Sequence, residues 1–397
     1  RALAGPILAE HPAVDKYSLI PQTYLEEVKK MWLNVPGESH SSGYRTGLAL
    51  LEGLDSTFQV NVSETTPEAY TDQHLRVSRI TRSPYGWNQW GYGEADWYTN
   101  ADALTQTKNH LDYCNTNGPE IAAIGFGWCW DMTWQNGCGG TIDPVYQVRW
   151  AGSSEGGPEG SMRWGLDAAD QALTGNSVCM DTYLNATEEY ITHCANNSYP
   201  TTVFFTTGPV DGGGNTGERG YQRHLKHQHI RNHVIAHNRV LFDYADILCW
   251  SNAGEQNTTT WTDHGSTLRT FPYIHADNML DLNGSYEKDG DHIGERGAVR
   301  LAKGLWWMLA VLAGWDPGDN EAPDAPTDLS GNSPAFYQID LTWTAPDDNP
   351  NPGGSGVSDY LIYRDGIQVG TSSTTNYSDT GLRPGTPYTY RVAARDA

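Results

Sequence analysis

Four short apolar runs limit what the chain can fold into: KKMWLNVPG (29–37), IAAIGFGW (121–128), TTVFFTTGP (201–209) and RVLFDYADILCW (239–250). Each is too short for a core helix and too continuous for a half-exposed strand, so each reads as a strand buried on both faces. Between and after them lie segments of helical periodicity, among them GYRTGLALLEGL (43–54), TYLNATEEYITHCA (182–195), YQRHLKHQHIRNHVIAHN (221–238) and GERGAVRLAKGLWWMLAVLAG (294–314). Strands that alternate with helices predict a three-layer α/β/α sandwich around a mostly parallel sheet, with right-handed crossovers, over residues 1–315. Ligands of such sheets bind at the carboxyl ends of the strands.

The pattern changes after Trp315. DPGDNEAPDAPTDLSG is rich in Pro, Asp and Gly and reads as a linker, placed at 316–325. From 326 to 397, QIDLTWTA, DYLIYRDG, IQVGTSS and YTYRVAARD are short alternating segments separated by turn residues, the pattern of an all-β sandwich.

Composition excludes several functions. The formal charge is −23, from 48 acidic against 25 basic residues, which argues against nucleic acid as a partner because that affinity rests on cationic contacts. The most apolar stretch, LAKGLWWMLAVLAGW, is interrupted by Lys303 and Gly304 and reads as a buried helix rather than a membrane span. Six cysteines without CxxC spacing predict disulfides rather than zinc and, with few lysines, an extracellular protein. Cys129 and Cys138 are close enough in sequence to close a short loop. No cofactor is implied.

The chemistry centres on VPGESHSSG (35–43), which places Ser39 between a strand and a helix. A serine alcohol in that position is either a helix cap or a nucleophile. The second role needs an imidazole held by a carboxylate, and YEKDGDHIGERG (286–297) supplies Asp289 and His292 just ahead of the last helix of the α/β region. His40 is expected as a neighbour in the site rather than as its base.

These motifs resemble the SGNH hydrolases, the GDSL-like esterase and lipase superfamily, over residues 30–315. Gly37-Glu38-Ser39 matches that family's Gly-Asp-Ser with Glu for Asp, and Asp289-x-x-His292 matches its Asp-x-x-His. The resemblance implies a flavodoxin-like sheet and a Ser39–His292–Asp289 triad. It also implies an oxyanion hole made by the N–H of Ser39, by Gly86 and by the nearby amide of Asn88. The family's Gly-x-Asn is replaced here by Gly127-Trp128-Cys129, so one oxyanion donor is missing. The tail resembles a fibronectin type III module on Pro326, Trp343, YLIYRDG and LRPGTPYTYRVAARDA; the usual last strand is not in this sequence, which implies that the natural chain continues.

Trp87, Trp90, Trp128 and Trp130 fall in loops expected around Ser39, and aromatic faces stack on sugar rings. The expected activity is removal of acyl groups, foremost acetyl, from a carbohydrate. The alternative is an extracellular structural or adhesive subunit that keeps a hydrolase fold, with self-association or polysaccharide docking through the C-terminal module. His229, His233 and His237 share a helical spacing that could suit a metal, but no HExxH pattern accompanies them and a polar helix face is the expected reading.

Overall fold

The computed structural model describes residues 5–37, 39–63, 69–79, 97, 101–128, 147, 180–210, 216–286, 292–317, 323–346 and 357–396. Its N-terminal region alternates strands and helices in the order β1 (Ile7–Ala9), α1 (His11–Lys16), α2 (Gln22–Lys29), β2 (Trp32–Asn34), α3 (Ser41–Leu54), β3 (Val60–Ser63) and β4 (Leu75–Ser78). It continues with α4 (Ala101–Asn117), β5 (Ala123–Gly125), α5 (Met180–Asn196), β6 (Thr202–Thr206), α6 (Glu218–Ala236), β7 (Val240–Phe242) and α7 (Tyr244–Cys249). A two-stranded hairpin, β8 (Thr258–Thr262) and β9 (Leu268–Pro272), precedes the last helix, α8 (Glu295–Ala313).

Strands β1 to β7 form one parallel sheet in the order β1-β7-β6-β5-β2-β4-β3. The chain leaves β2 toward one edge to make β3 and β4, then crosses to the other side for β5, β6 and β7. Strand β2 is therefore the switch point, where the crossovers diverge; in open α/β sheets ligands bind at the carboxyl edge of such a point.

Both faces of the sheet are covered. Leu241 of β7 belongs to one buried cluster with Leu111 of α4, Tyr183 of α5 and Ile230 and Val234 of α6, whereas its neighbour Phe242 meets Tyr44 of α3 and lies beside Gly304 of α8. This alternation explains why the predicted strands are continuous apolar runs. It also corrects one of them. RVLFDYADILCW is not a single strand, because Asp243 ends β7 and its side chain accepts from the Asp246 N–H at 3.0 Å, capping α7.

The C-terminal region is all-β: β10 (Thr327–Ala335), β11 (Gln338–Thr344), β12 (Val357–Arg364), β13 (Ile367–Ser372), β14 (Asn376–Thr380) and β15 (Tyr390–Asp396). They form two antiparallel three-stranded sheets, β10-β11-β14 and β13-β12-β15. Asp365 and Gly366, with φ of 52° and 82°, make the tight turn between β12 and β13, as Asp-Gly in a hairpin predicts. Leu341, Trp343, Tyr360, Ile362 and Val392 form the core of this region.

The disulfide expectation is corrected where the structure describes it. Cys194 and Cys249 are buried thiols outside any disulfide, and Cys114 carries a thiol 3.6 Å from His110 Nδ1. All three sit on helices packed into the α/β core, where a cysteine serves as a small apolar side chain. Cys129, Cys138 and Cys179 lie outside the described residues.

Candidate active site

Strand β2 is pinned on one flank before it reaches Ser39. Asn34, fully buried, donates through Nδ2 to Ser78 O at 3.1 Å and Ser78 Oγ at 2.9 Å, and Trp32 Nε1 donates to the same hydroxyl at 2.8 Å. On the other flank the Gly127 N–H donates to Pro36 O at 2.8 Å. The chain then turns sharply. Ser39 O accepts from Ser42 N–H at 3.0 Å and Ser42 Oγ at 2.6 Å, and α3 begins. Buried Arg45 staples this turn from inside, donating to Ser41 O at 3.0 Å and Val35 O at 3.4 Å.

The hydroxyl of Ser39 is not the cap of α3; that position is held by His40, without a side-chain cap bond. Instead Ser39 Oγ lies 3.0 Å from His292 Nε2. His292 precedes α8 with φ of 63°, a left-handed conformation uncommon for residues other than glycine. Two residues later the Gly294 N–H donates to Asn278 O at 2.8 Å, and Asn278 Nδ2 in turn donates to Leu248 O at 2.8 Å.

The spacing between the two halves of the site is set by glycines. A Cβ on Gly47 of α3 would lie 1.9 Å from Ala298 O of α8, and one on Gly43 would lie 3.1 Å from Ile293 Cδ1. Gly43 and Gly47, one turn apart, let α3 and the start of α8 approach almost backbone to backbone. That approach carries His292 to Ser39. The i, i+4 pair is present in GYRTGLALLEGL as a small-residue stripe that carries no reactive group.

His40 is buried and stacks on His292, with ring centroids 4.4 Å apart and planes 33° from parallel. Tyr244 lies edge-on to it at 6.3 Å. His40 is thus a ring neighbour of His292. The arrangement can transfer a proton from a hydroxyl to a neutral imidazole, the step that makes a serine nucleophilic. Asp289, Gly86, Asn88, Trp87, Trp90 and Trp130 lie outside the described residues.

Trp128 is corrected. It is 2% exposed, its Nε1 donates to Thr206 O at 3.1 Å, and its ring meets Phe126 and Tyr183 edge-on at 5.5 Å and 4.5 Å. It fills the core beside β5 and β6 and offers no face to a ligand. The histidine-rich helix is likewise engaged: His233 Nε2 meets Glu188 Oε1 at 2.9 Å, and His237 Nδ1 donates to His233 O at 2.8 Å. Among the described residues, no group of three or more His, Cys, Asp or Glu is arranged to hold a metal ion. No helix of the described residues is long and apolar enough to cross a membrane.

Residues 324–397 match the fibronectin type III domain family, and the two three-stranded sheets described above agree with that assignment. Among curated proteins, the chain is 40% identical over 146 residues to exoglucanase B of Cellulomonas fimi, covering 37% of this chain and 12% of that protein. It is 41% identical over 80 residues to chitinase 63 of Streptomyces plicatus, covering 20% of this chain and 12% of that protein. The chain thus spans about an eighth of the length of these relatives. A solved structure, FN3tt, is 21% identical with a TM-score of 0.16, covering 19% of this chain and 80% of that one.

Proposed function

We propose that the α/β region is an SGNH-type serine esterase that removes acyl groups, foremost acetyl, from an extracellular carbohydrate. The observation that carries this reading is the 3.0 Å approach of Ser39 Oγ and His292 Nε2, made across 253 residues at the carboxyl edge of the switch-point strand. Ser39 attacks the ester carbonyl while His292 Nε2 takes its proton, then returns it to the leaving sugar hydroxyl. Water attacks the acyl-serine by the same route in reverse. Asp289 orients the imidazole and balances the imidazolium, and the N–H groups of Ser39 and Gly86, with the Asn88 amide, hold the oxyanion.

The carbohydrate half of the reading is supported by the names of the relatives, an exoglucanase and a chitinase, and by the tryptophans at 87, 90 and 130. The fibronectin type III domain serves as a spacer or polysaccharide-docking module, since such a sandwich carries no chemistry of its own.

Hydrolysis of p-nitrophenyl acetate by the intact chain tests the reading. Ser39→Ala and His292→Ala each remove nearly all turnover, and the double variant is hardly slower than either, because members of a triad act as a unit. Asp289→Asn lowers kcat through the wrong imidazole tautomer. Turnover that persists in Ser39→Ala overturns the serine mechanism. An inactive wild type that folds normally favours the structural-subunit alternative.

A further inference from the structure

His292 stands where its own backbone does not favour it. Its φ of 63° is a conformation that a residue with a side chain keeps only when the surrounding structure over-determines it. The 3.0 Å approach of Nε2 to Ser39 Oγ fixes one point on the edge of the imidazole. The plane of the ring needs a separate hold.

We infer that His40 is a positioning residue of the esterase proposed above: its buried ring lies against the face of the His292 imidazole and sets the plane in which Nε2 meets the Ser39 hydroxyl. The inference rests on the serine mechanism and adds to it a residue outside the triad.

The two rings approach face to face at a tilt, with centroids 4.4 Å apart and planes 33° from parallel. His40 is 1% exposed and is held from its own backbone. It stands at the start of α3 with φ of −67° and ψ of −14°, and its carbonyl accepts from the Gly43 N–H at 3.2 Å. Beyond it, aromatic rings continue into the core. Tyr244 of α7 lies edge-on to His40 at 6.3 Å, Tyr44 of α3 edge-on to Tyr244 at 5.6 Å, and Phe242 of β7 edge-on to Tyr44 at 5.3 Å. The imidazole is therefore backed by rings that reach the central sheet.

Ser39 and His40 are consecutive, so one turn carries both the nucleophile and the ring that braces its base. A small shift of this turn moves the two together. The task differs from that proposed for Asp289, which fixes the tautomer of the imidazole, whereas His40 fixes its plane. Both matter because reacting groups displaced by about 1 Å can lose about 10²-fold in rate.

The test compares His40→Phe, which keeps a ring face without the imidazole nitrogens, with His40→Leu, which fills the space without a ring. Turnover of p-nitrophenyl acetate by the intact chain is taken per folded molecule, with folding checked by circular dichroism. His40→Phe is expected to keep kcat within about threefold of wild type, and His40→Leu to lose about tenfold to a hundredfold, with KM changed by less than about twofold in both. His40→Met, longer and more adaptable, replaces His40→Leu if that variant does not fold. A second readout does not depend on turnover. In proton NMR of the intact chain, the His292 ring signals, assigned by their loss in His292→Ala, are displaced by the neighbouring ring; the displacement is lost in His40→Leu and kept in His40→Phe.

Equal kcat in wild type, His40→Phe and His40→Leu, or His292 signals unmoved in His40→Leu, would overturn the inference and leave the serine mechanism standing. A loss as large in His40→Phe as in His40→Leu would also overturn it, because the role would then belong to the imidazole nitrogens. A wild type without Ser39-dependent turnover would overturn the mechanism and, with it, the positioning role.

Discussion

Gly37 and Gly127 meet backbone to backbone just beyond the ends of β2 and β5, and a Cβ on Gly37 would lie 2.0 Å from Gly127 O. Gly37 also has φ of 139°, a conformation open to glycine and costly to other residues. The pair fixes the direction in which the chain leaves the sheet, and so where Ser39 points.

Gly37→Ala is therefore expected to cost about 2–5 kcal/mol, the sum of backbone strain and a clash with main chain that cannot swing aside. Chemical denaturation measures the first effect. Esterase assay below the melting transition measures the second, a loss of turnover larger than the unfolded fraction explains. Stability and turnover both equal to wild type would show that the contact does not position the serine.

Glu188 of α5 couples α5 to α6 and β7. Burial alone would raise its carboxyl, but hydrogen bonds from His233 and Arg239 outweigh that and hold it at about 2. A carboxyl lowered by folding contributes stability above its unfolded value of 4.5, and the contribution is lost as pH falls toward 2. Glu188→Gln should be less stable than wild type by about 2 kcal/mol at pH 7, after allowance for partial exposure, with the gap closing near pH 2.5. Urea melts across this range check the slope; a gap independent of pH would exclude the linkage.

Thiol titration in denaturant without reductant should count at least three groups, because Cys114, Cys194 and Cys249 are thiols. In the native protein they should react slowly. Burial pushes the Cys194 thiol up to about 12 and raises Cys249 as well, so little thiolate is present at pH 8. Rapid native labelling of Cys194 or Cys249 would contradict the packing.

We place the domain boundary in the Pro/Asp/Gly-rich stretch 316–325, and limited proteolysis should cut there first. The expected product is a folded fragment of about 315 residues that keeps its serine-dependent turnover. Loss of the α/β fold on cleavage would make the C-terminal domain integral to it.

The sequence announced those parts of the fold that rest on apolar continuity. β2, β5, β6 and β7 each lie within a run named from the residues, and the Ser39 and His292 motifs flank the helices expected of them. β1, Ile7–Ala9, is apolar but only three residues long, and β3 and β4 mix in polar residues, such as buried Arg76, which reaches Lys30 O at 2.8 Å, so none of the three stands out as an apolar run. Trp128 was misassigned for a related reason. A tryptophan beside a loop reads equally as platform or core, and only the ring environment of Phe126 and Tyr183 separates the two. The glycines that bring α3 and α8 together carry no reactive group, so nothing in their chemistry marks them as part of the site.

The contact between Ser39 and His292 spans 253 residues, nearly the whole length of the α/β region. Closing so long a loop costs about 5 kcal/mol of chain entropy, which only the finished sheet and helices can offset. During synthesis the serine emerges first and remains an ordinary alcohol until α8 has been made and docked. On the proposed serine mechanism, a nascent or unfolded chain therefore carries Ser39 in a harmless form, and reactivity becomes a property acquired once, at the moment the last helix of the region finds its place.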